Sequence, residues 1–252
     1  MPAQPTTRQR RLEAKAYEAA RIDTAEGSVR TLLFAQGRTG STLLESLLAS
    51  TGHFRQNGEV LRQWRLFVER PVDYVKGLAR TPARLSDAGH FVCHVKVYHL
   101  TRDRANVGME PVSPAGFLRA LDADGWQVVY LRRADRIRHA LSNLVAQERG
   151  KYHRFDDAPI DLTLSIQRAD LECQVQRRVE NEAAERDALT DAGIDFHEVV
   201  YERDLLDATA HQQTVDSILD TVGLPRRPVS TEMRKVNDRP VSEIVENFEE
   251  FS

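Results

Sequence analysis

Two short segments of this sequence concentrate residue types that could hold an anion. The first reads Phe34-Ala35-Gln36-Gly37-Arg38-Thr39-Gly40-Ser41-Thr42-Leu43-Leu44. An apolar run stops at a glycine turn, and leucines at helical spacing follow it. Such a turn aims free backbone N–H groups at one point, at the positive end of a helix dipole, where an anion is stabilised. Gly37 and Gly40 allow close backbone approach, Ser41 and Thr42 add hydroxyl donors beside Thr39, and Arg38 supplies a planar cationic fork. An ordinary strand-to-helix turn with a Ser/Thr N-cap has the same composition. A Walker loop would carry Gly-Lys followed by Ser or Thr. This loop contains no lysine, which counts against a typical NTPase.

The second segment runs Tyr130-Leu131-Arg132-Arg133-Ala134-Asp135-Arg136-Ile137-Arg138-His139-Ala140-Leu141-Ser142. An arginine at the carboxyl end of a strand and a serine along the next helix can converge on one phosphate. Open α/β sheets bind their ligands at those strand ends. The alternative is a solvated basic helix face, with Arg132, Arg133, Arg136 and Arg138 all turned to water.

The elements that must position these segments follow from periodicity. Strands are expected at 31–35, 91–98, 126–131 and 195–201, each a short apolar run bounded by turn residues. Helices are expected after the glycine loop up to Gly52, then over 58–70, 114–122, 135–149, 163–191 and 208–222. On the longest, Leu171, Val175, Val179 and Ala183 form an i, i+4 ladder. Strands alternating with helices predict an α/β fold, a P-loop-like central parallel sheet flanked by helices on both faces. Residues 1–28 are charged and Ala-rich and are expected as a surface helix or tail outside the main fold, leaving 29–252 as a single domain.

With 252 residues, 41% hydrophobic and 29% charged, the chain has the make-up of one globular domain, and a net charge of −3 gives no global pull toward nucleic acid. Cys93 and Cys173 stand too far apart for a zinc pattern or a disulfide framework and are expected as reduced, structural thiols. The opening MPAQPTTRQRRLEAK lacks an apolar h-region, and no later stretch is long and apolar enough for a membrane span. A cytoplasmic chain is therefore expected.

The segment Gly37-Arg38-Thr39-Gly40-Ser41-Thr42-Leu43-Leu44 resembles the 5′-phosphosulfate loop of sulfotransferases that use 3′-phosphoadenosine 5′-phosphosulfate (PAPS). It is closest to the bacterial trehalose 2-sulfotransferase and nodulation-type enzymes, whose loop reads Arg-Ser-Gly-Ser-Thr-Leu-Leu. Animal cytosolic enzymes carry lysine where Arg38 stands. Arginine stays protonated, so it can neutralise the transferring group but is a poor proton donor to the leaving phosphate. The resemblance extends to Arg133 and Ser142, at the nine-residue spacing with which the trehalose-type enzymes grip the 3′-phosphate, with Arg132 as a rival for that role. Ala146 to His153 is similar to the end of the same helix in that subfamily. The likeness covers residues 30–60 and 126–153 well and the remainder loosely.

Sulfuryl transfer needs an in-line acceptor hydroxyl, charge neutralisation on the sulfonate and a base for the hydroxyl proton. The resemblance implies Glu59, in the segment after the first helix, as that base; a helix-start surface glutamate is the alternative. His99 is the second candidate, because Lys96-Val97-Tyr98-His99 is faintly similar to the Lys-Thr-His motif of the animal enzymes with one extra residue. Lys96 ends a strand at the site edge and could approach sulfonate or acceptor, and His153 is a weaker candidate on the substrate side. The stretch Met233 to Pro240 is similar to a late loop that closes over the cofactor, through Arg234 and Lys235. The implied reaction moves the sulfuryl group of PAPS to a hydroxyl of a carbohydrate, glycolipid or small-molecule acceptor. It leaves 3′-phosphoadenosine 5′-phosphate (PAP) and requires no metal. A P-loop-type nucleotide kinase and a non-catalytic nucleotide-binding module are the alternatives; the first would need a Walker lysine and a magnesium-holding acid at a strand end.

Overall fold

A computed structural model of the chain describes residues 4–23, 27–81, 89–149, 164–233 and 241–251. Five strands, β1 (Arg30–Ala35), β2 (Phe54–Glu59), β3 (His90–Val95), β4 (Gln127–Arg132) and β5 (Phe196–Val200), pair in parallel in the order β2-β3-β1-β4-β5. The helices are α1 (Thr7–Ala19), α2 (Ser41–Ser50), α3 (Pro71–Arg80), the short α4 (Val97–Leu100) and α5 (Arg102–Asn106), α6 (Pro114–Asp122), α7 (Arg136–Arg149), α8 (Arg168–Ala192), α9 (Tyr201–Asp204), α10 (His211–Thr221) and α11 (Val241–Ile244). The fold is thus α/β, a parallel sheet flanked by helices, as the alternation of patterns predicts.

Strand side chains alternate between the two faces. Leu32, Phe34, Phe91, Cys93, Val95, Val128 and Tyr130 face a core closed by α1, α3, α6 and α8. Leu33, Ala35, Val92, Val129 and Leu131 face a second core closed by α2 and α10. Both faces are covered, which is why β1, β3 and β4 are near-continuous apolar runs. Leu44, Leu47 and Leu48 of α2 are fully buried, and each such side chain contributes about 1.5–3 kcal/mol relative to exposure. The chain lays β2 and β3 on one flank of β1 and then β4 and β5 on the other. That reversal opens a crevice at the carboxyl ends of the central strands, where both arginine-bearing segments begin.

Four expectations are corrected. The helix expected over 58–70 is replaced by β2 and a single 3-10 turn at Gln63–Phe67. As an edge strand β2 is polar (FRQNGE) and shows no alternation, so periodicity could not find it; the Arg55 guanidinium lies 5.0 Å from the Phe91 ring centre instead. The strand expected over 91–98 stops at Val95, where Lys96 caps the turn α4. The ladder expected on α8 does not face inward as a whole: Ala183 is exposed, and the buried face carries Gln174, Arg178, Asn181 and Glu185. Finally, α1 does not stand apart, since Glu13, Ala16 and Ala19 are buried and Ala16 belongs to the core with Tyr74 and Val75 of α3. Cys93 is buried, whereas Cys173 is exposed; neither forms a disulfide.

Candidate active site

The glycine loop is braced from both sides. Gly37 N donates to Tyr98 Oη at 3.2 Å, and His139 Nε2 bonds the Gly37 carbonyl at 2.7 Å. Because a carbonyl can only accept, His139 donates from Nε2. Burial, with the nearby guanidinium groups of Arg178, Arg133 and Arg38 adding, pulls the His139 imidazole down to about 3. It is therefore neutral at physiological pH. Gly37 is closely packed: a Cβ would press on Tyr98 Oη at 3.0 Å and touch Lys96 Nζ at 3.4 Å. Gly40 caps α2 at φ 93°, and a Cβ there would meet the Tyr201 ring at 2.8 Å. No side chain caps α2, so the helix N-terminus offers its first N–H groups to the crevice.

Beside the loop, at the ends of β2 and β3, three sequence-named residues converge. Lys96 Nζ is in direct contact with Glu59 Oε1, and His99 Nε2 stands 3.8 Å from the same oxygen and 3.9 Å from Asp103 Oδ2. Arg62 reaches Glu59 Oε2 at 3.3 Å from the solvent side. All three central side chains are largely buried. Burial, reinforced by the Arg38 and Arg178 cations, pulls the Lys96 ammonium down to about 7. The Asp103 carboxylate opposes that pull in part. His99 is pushed well below its ordinary value by burial, then by Lys96, His94, Arg62 and Arg102. Its Nδ1 is buried with no hydrogen-bond partner among the described residues.

On the other side of the loop, Arg38 adopts φ 70°, in the left-handed region that a non-glycine residue rarely enters. Its Nε points to Ser142 Oγ at 3.4 Å, joining the two sequence segments directly. Arg132 and Arg133 diverge. Arg132 turns along the sheet to Glu198 at 2.8 Å. Arg133 bonds Glu202 Oε1 at 3.0 Å and lies 4.5 Å from the centre of the Tyr201 ring, the ring that packs on Gly40. Of the two, Arg133 is the one on the loop side.

No protein-family model matches the chain, and no curated protein matches it by sequence. Among solved structures, a mouse sulfotransferase, SULT7A1, complexed with PAP aligns with a TM-score of 0.42 at 11% identity, over 91% of this chain and 68% of that one. A likeness that distant carries no assignment, and the reading of the site rests on its own residues.

Of the residues named from sequence, Gly37, Arg38, Gly40, Ser41, Thr42, Lys96, Glu59, His99, Arg133 and Ser142 lie at or beside the crevice. Thr39 does not present its hydroxyl there: it is fully buried and donates to Gln36 O at 2.8 Å, closing the turn from below. Glu59 sits at the end of a strand rather than at a helix start. His153, Arg234 and Lys235 lie outside the described residues. Sequence reasoning missed Tyr98, His139, Arg178 and the Tyr201–Glu202 pair. The turn after β5 carries no recognisable motif, yet Glu202 fastens both the Arg133 side chain and Ala134 N. His139 lay inside the second arginine segment and could have been singled out there. Arg178 had no local signal, because only packing brings α8 under the loop, where Gln36 Nε2 bonds the Arg178 carbonyl at 3.1 Å. Among the described residues no helix is long and apolar enough to cross a membrane.

Proposed function

We propose that the chain is a sulfotransferase that takes its sulfuryl group from PAPS and delivers it to a hydroxyl of a carbohydrate, glycolipid or small-molecule acceptor. The observation that carries this reading is the buried Lys96 ammonium, against Glu59 and beside Gly37, at a glycine loop that has no lysine of its own. The donor set fits a ligand with two separated anionic groups. The crevice offers the uncapped N-terminus of α2, Lys96 and Arg38, with Ser142 against Arg38 and Arg133 against the Tyr201 ring that packs on Gly40. PAPS, when bound, supplies a sulfuryl group carried on a phosphate leaving group.

The residues divide the work as follows. The first N–H groups of α2, with Ser41 and Thr42, hold the 5′-phosphosulfate end, while Arg133 and Ser142 hold the 3′-phosphate. Arg38, drawn toward Ser142, bridges the two ends as a fixed positive charge. Lys96 neutralises charge on the transferring group. With its ammonium held near 7, it can also release a proton to the departing phosphate oxygen, which Arg38 cannot do. Glu59 takes the proton of the acceptor hydroxyl. His99, neutral through burial, is the second candidate for that proton.

Calorimetry tests the cofactor half of the reading. PAP is expected to bind without magnesium and about one to two decades more tightly than AMP, the worth of charge-assisted hydrogen bonds to one additional phosphate. Magnesium-dependent ATP binding that ignores a 3′-phosphate would overturn it.

A further inference from the structure

Glu45 stands four residues beyond Ser41, one turn into the helix that opens at the glycine loop. It is 1% exposed on an otherwise leucine-lined helix face. Its carboxylate is fully engaged, but not with a neighbour in sequence. Oε1 accepts from Asn57 N at 2.7 Å and Gly58 N at 2.6 Å, and Oε2 pairs with His94 Nδ1 at 3.0 Å. Those backbone donors belong to an irregular stretch of β2. The β2–β3 register runs regularly through Gln56↔Val92 and then shifts before Glu59↔His94, so three steps on β2 match two on β3. A bulge of this kind leaves backbone groups without a ladder partner and re-aims the side chains that follow. Here the re-aimed side chain is Glu59, and the ladder resumes directly after it with Val60 N to His94 O at 3.3 Å.

Resting on the functional reading above, we propose that Glu45 is the positioning residue for Glu59. One carboxylate fastens the bulge on its open side and holds His94, the residue opposite Glu59 in the register. The direction of the Glu59 side chain toward Lys96 and His99 is thereby fixed from α2. Because α2 also presents the anion-binding N-terminus, base and phosphosulfate loop are set relative to each other through one rigid element, the arrangement that proximity catalysis requires. Glu45 itself is buried away from solvent and touches no reacting atom.

A double-mutant cycle separates this role from a general contribution to folding. Glu45→Gln, Glu59→Gln and the double variant are compared in single-turnover transfer from sulfur-labelled PAPS, with trehalose, chitotetraose and 2-naphthol as acceptors. PAP affinity and thermal unfolding are measured alongside. The expected result is a tenfold or greater loss of rate in Glu45→Gln with PAP affinity within about twofold of wild type, and no further loss when Glu59 is already Gln. Hydrogen exchange at the Asn57 and Gly58 amides should quicken in Glu45→Gln. Should that variant fail to fold, Gly58→Ala perturbs the same bulge from its solvent side, where φ is 64° and an added Cβ meets open space; it should reproduce the rate loss with PAP affinity kept. Wild-type rates in these variants, or a loss that persists undiminished in the Glu59→Gln background, overturn the inference while leaving the sulfotransferase reading intact. Failure of the wild-type chain to label any acceptor overturns that reading and the inference with it.

Discussion

The neutral His139 under the glycine loop makes stability depend on pH in a way that one substitution can isolate. The unfolded imidazole takes up a proton near 6.5, whereas burial holds the folded one to about 3. Between those values the unfolded chain binds the extra proton. This contribution to stability is therefore complete above the unfolded value and lost as pH falls toward the folded one. Going from pH 8 to 4.5 crosses two units below 6.5, and at 1.36 kcal/mol per unit the loss is about 2.7 kcal/mol. Glutamine at this position keeps an N–H for the Gly37 carbonyl but does not titrate. Urea unfolding of wild type and His139→Gln at pH 8, 6.5, 5.5 and 4.5 gives two curves in which carboxylates and other histidines contribute alike. The gap between them should close by about 2.7 kcal/mol from pH 8 to 4.5, whatever its starting value. Parallel curves would refute the reasoning, placing the imidazole where it charges as freely folded as unfolded.

Three further outcomes follow from the site. Arg133→Ala and Ser142→Ala should each weaken PAP binding by roughly 1.5–3 kcal/mol and slow the bound reaction less; Arg132→Ala, whose guanidinium is turned to Glu198, should leave calorimetric affinity nearly unchanged. Glu59→Gln should retain PAP affinity and lose about two to four decades of single-turnover rate, with His99→Ala losing less; the reverse order would move the base to His99. Gly37→Ala should weaken PAP binding, since its Cβ would crowd the Tyr98 hydroxyl that braces the loop.

The fold class was legible because β1, β3 and β4 are sandwiched between helices and have to be apolar throughout. The edge strand β2 was not, because it is polar, incompletely buried along most of its length and, among the described residues, paired with β3 alone. Helix α3, opened by Pro71 at its first turn, buries Tyr74 and Val75 but lay beyond the stretch that periodicity marked as helix. At the site, local composition could announce a glycine loop and a basic strand end. It could not announce that Arg38 would lean toward Ser142, that Lys96 would meet Glu59 beside Gly37, or that Arg178 would lie beneath the loop. Those arrangements come from residues scattered along the chain meeting at the end of the sheet. Glu45 left one faint trace, a lone charge between Leu44 and Leu47, whose explanation lies in a backbone irregularity on another element.

The central claim is that this crevice transfers sulfuryl groups, and transfer itself is its most direct measure. Purified chain is incubated with sulfur-labelled PAPS, without metal, and with a panel of hydroxyl acceptors spanning disaccharides, chito-oligosaccharides and phenols, and both labelled product and PAP are followed. The account predicts label on an acceptor hydroxyl with one PAP released per transfer, slowed by about two to four decades in Glu59→Gln and reduced in Arg133→Ala. Tight PAP binding with label recovered only as unreacted PAPS across the panel, or phosphoryl transfer from ATP by the same site, would contradict it.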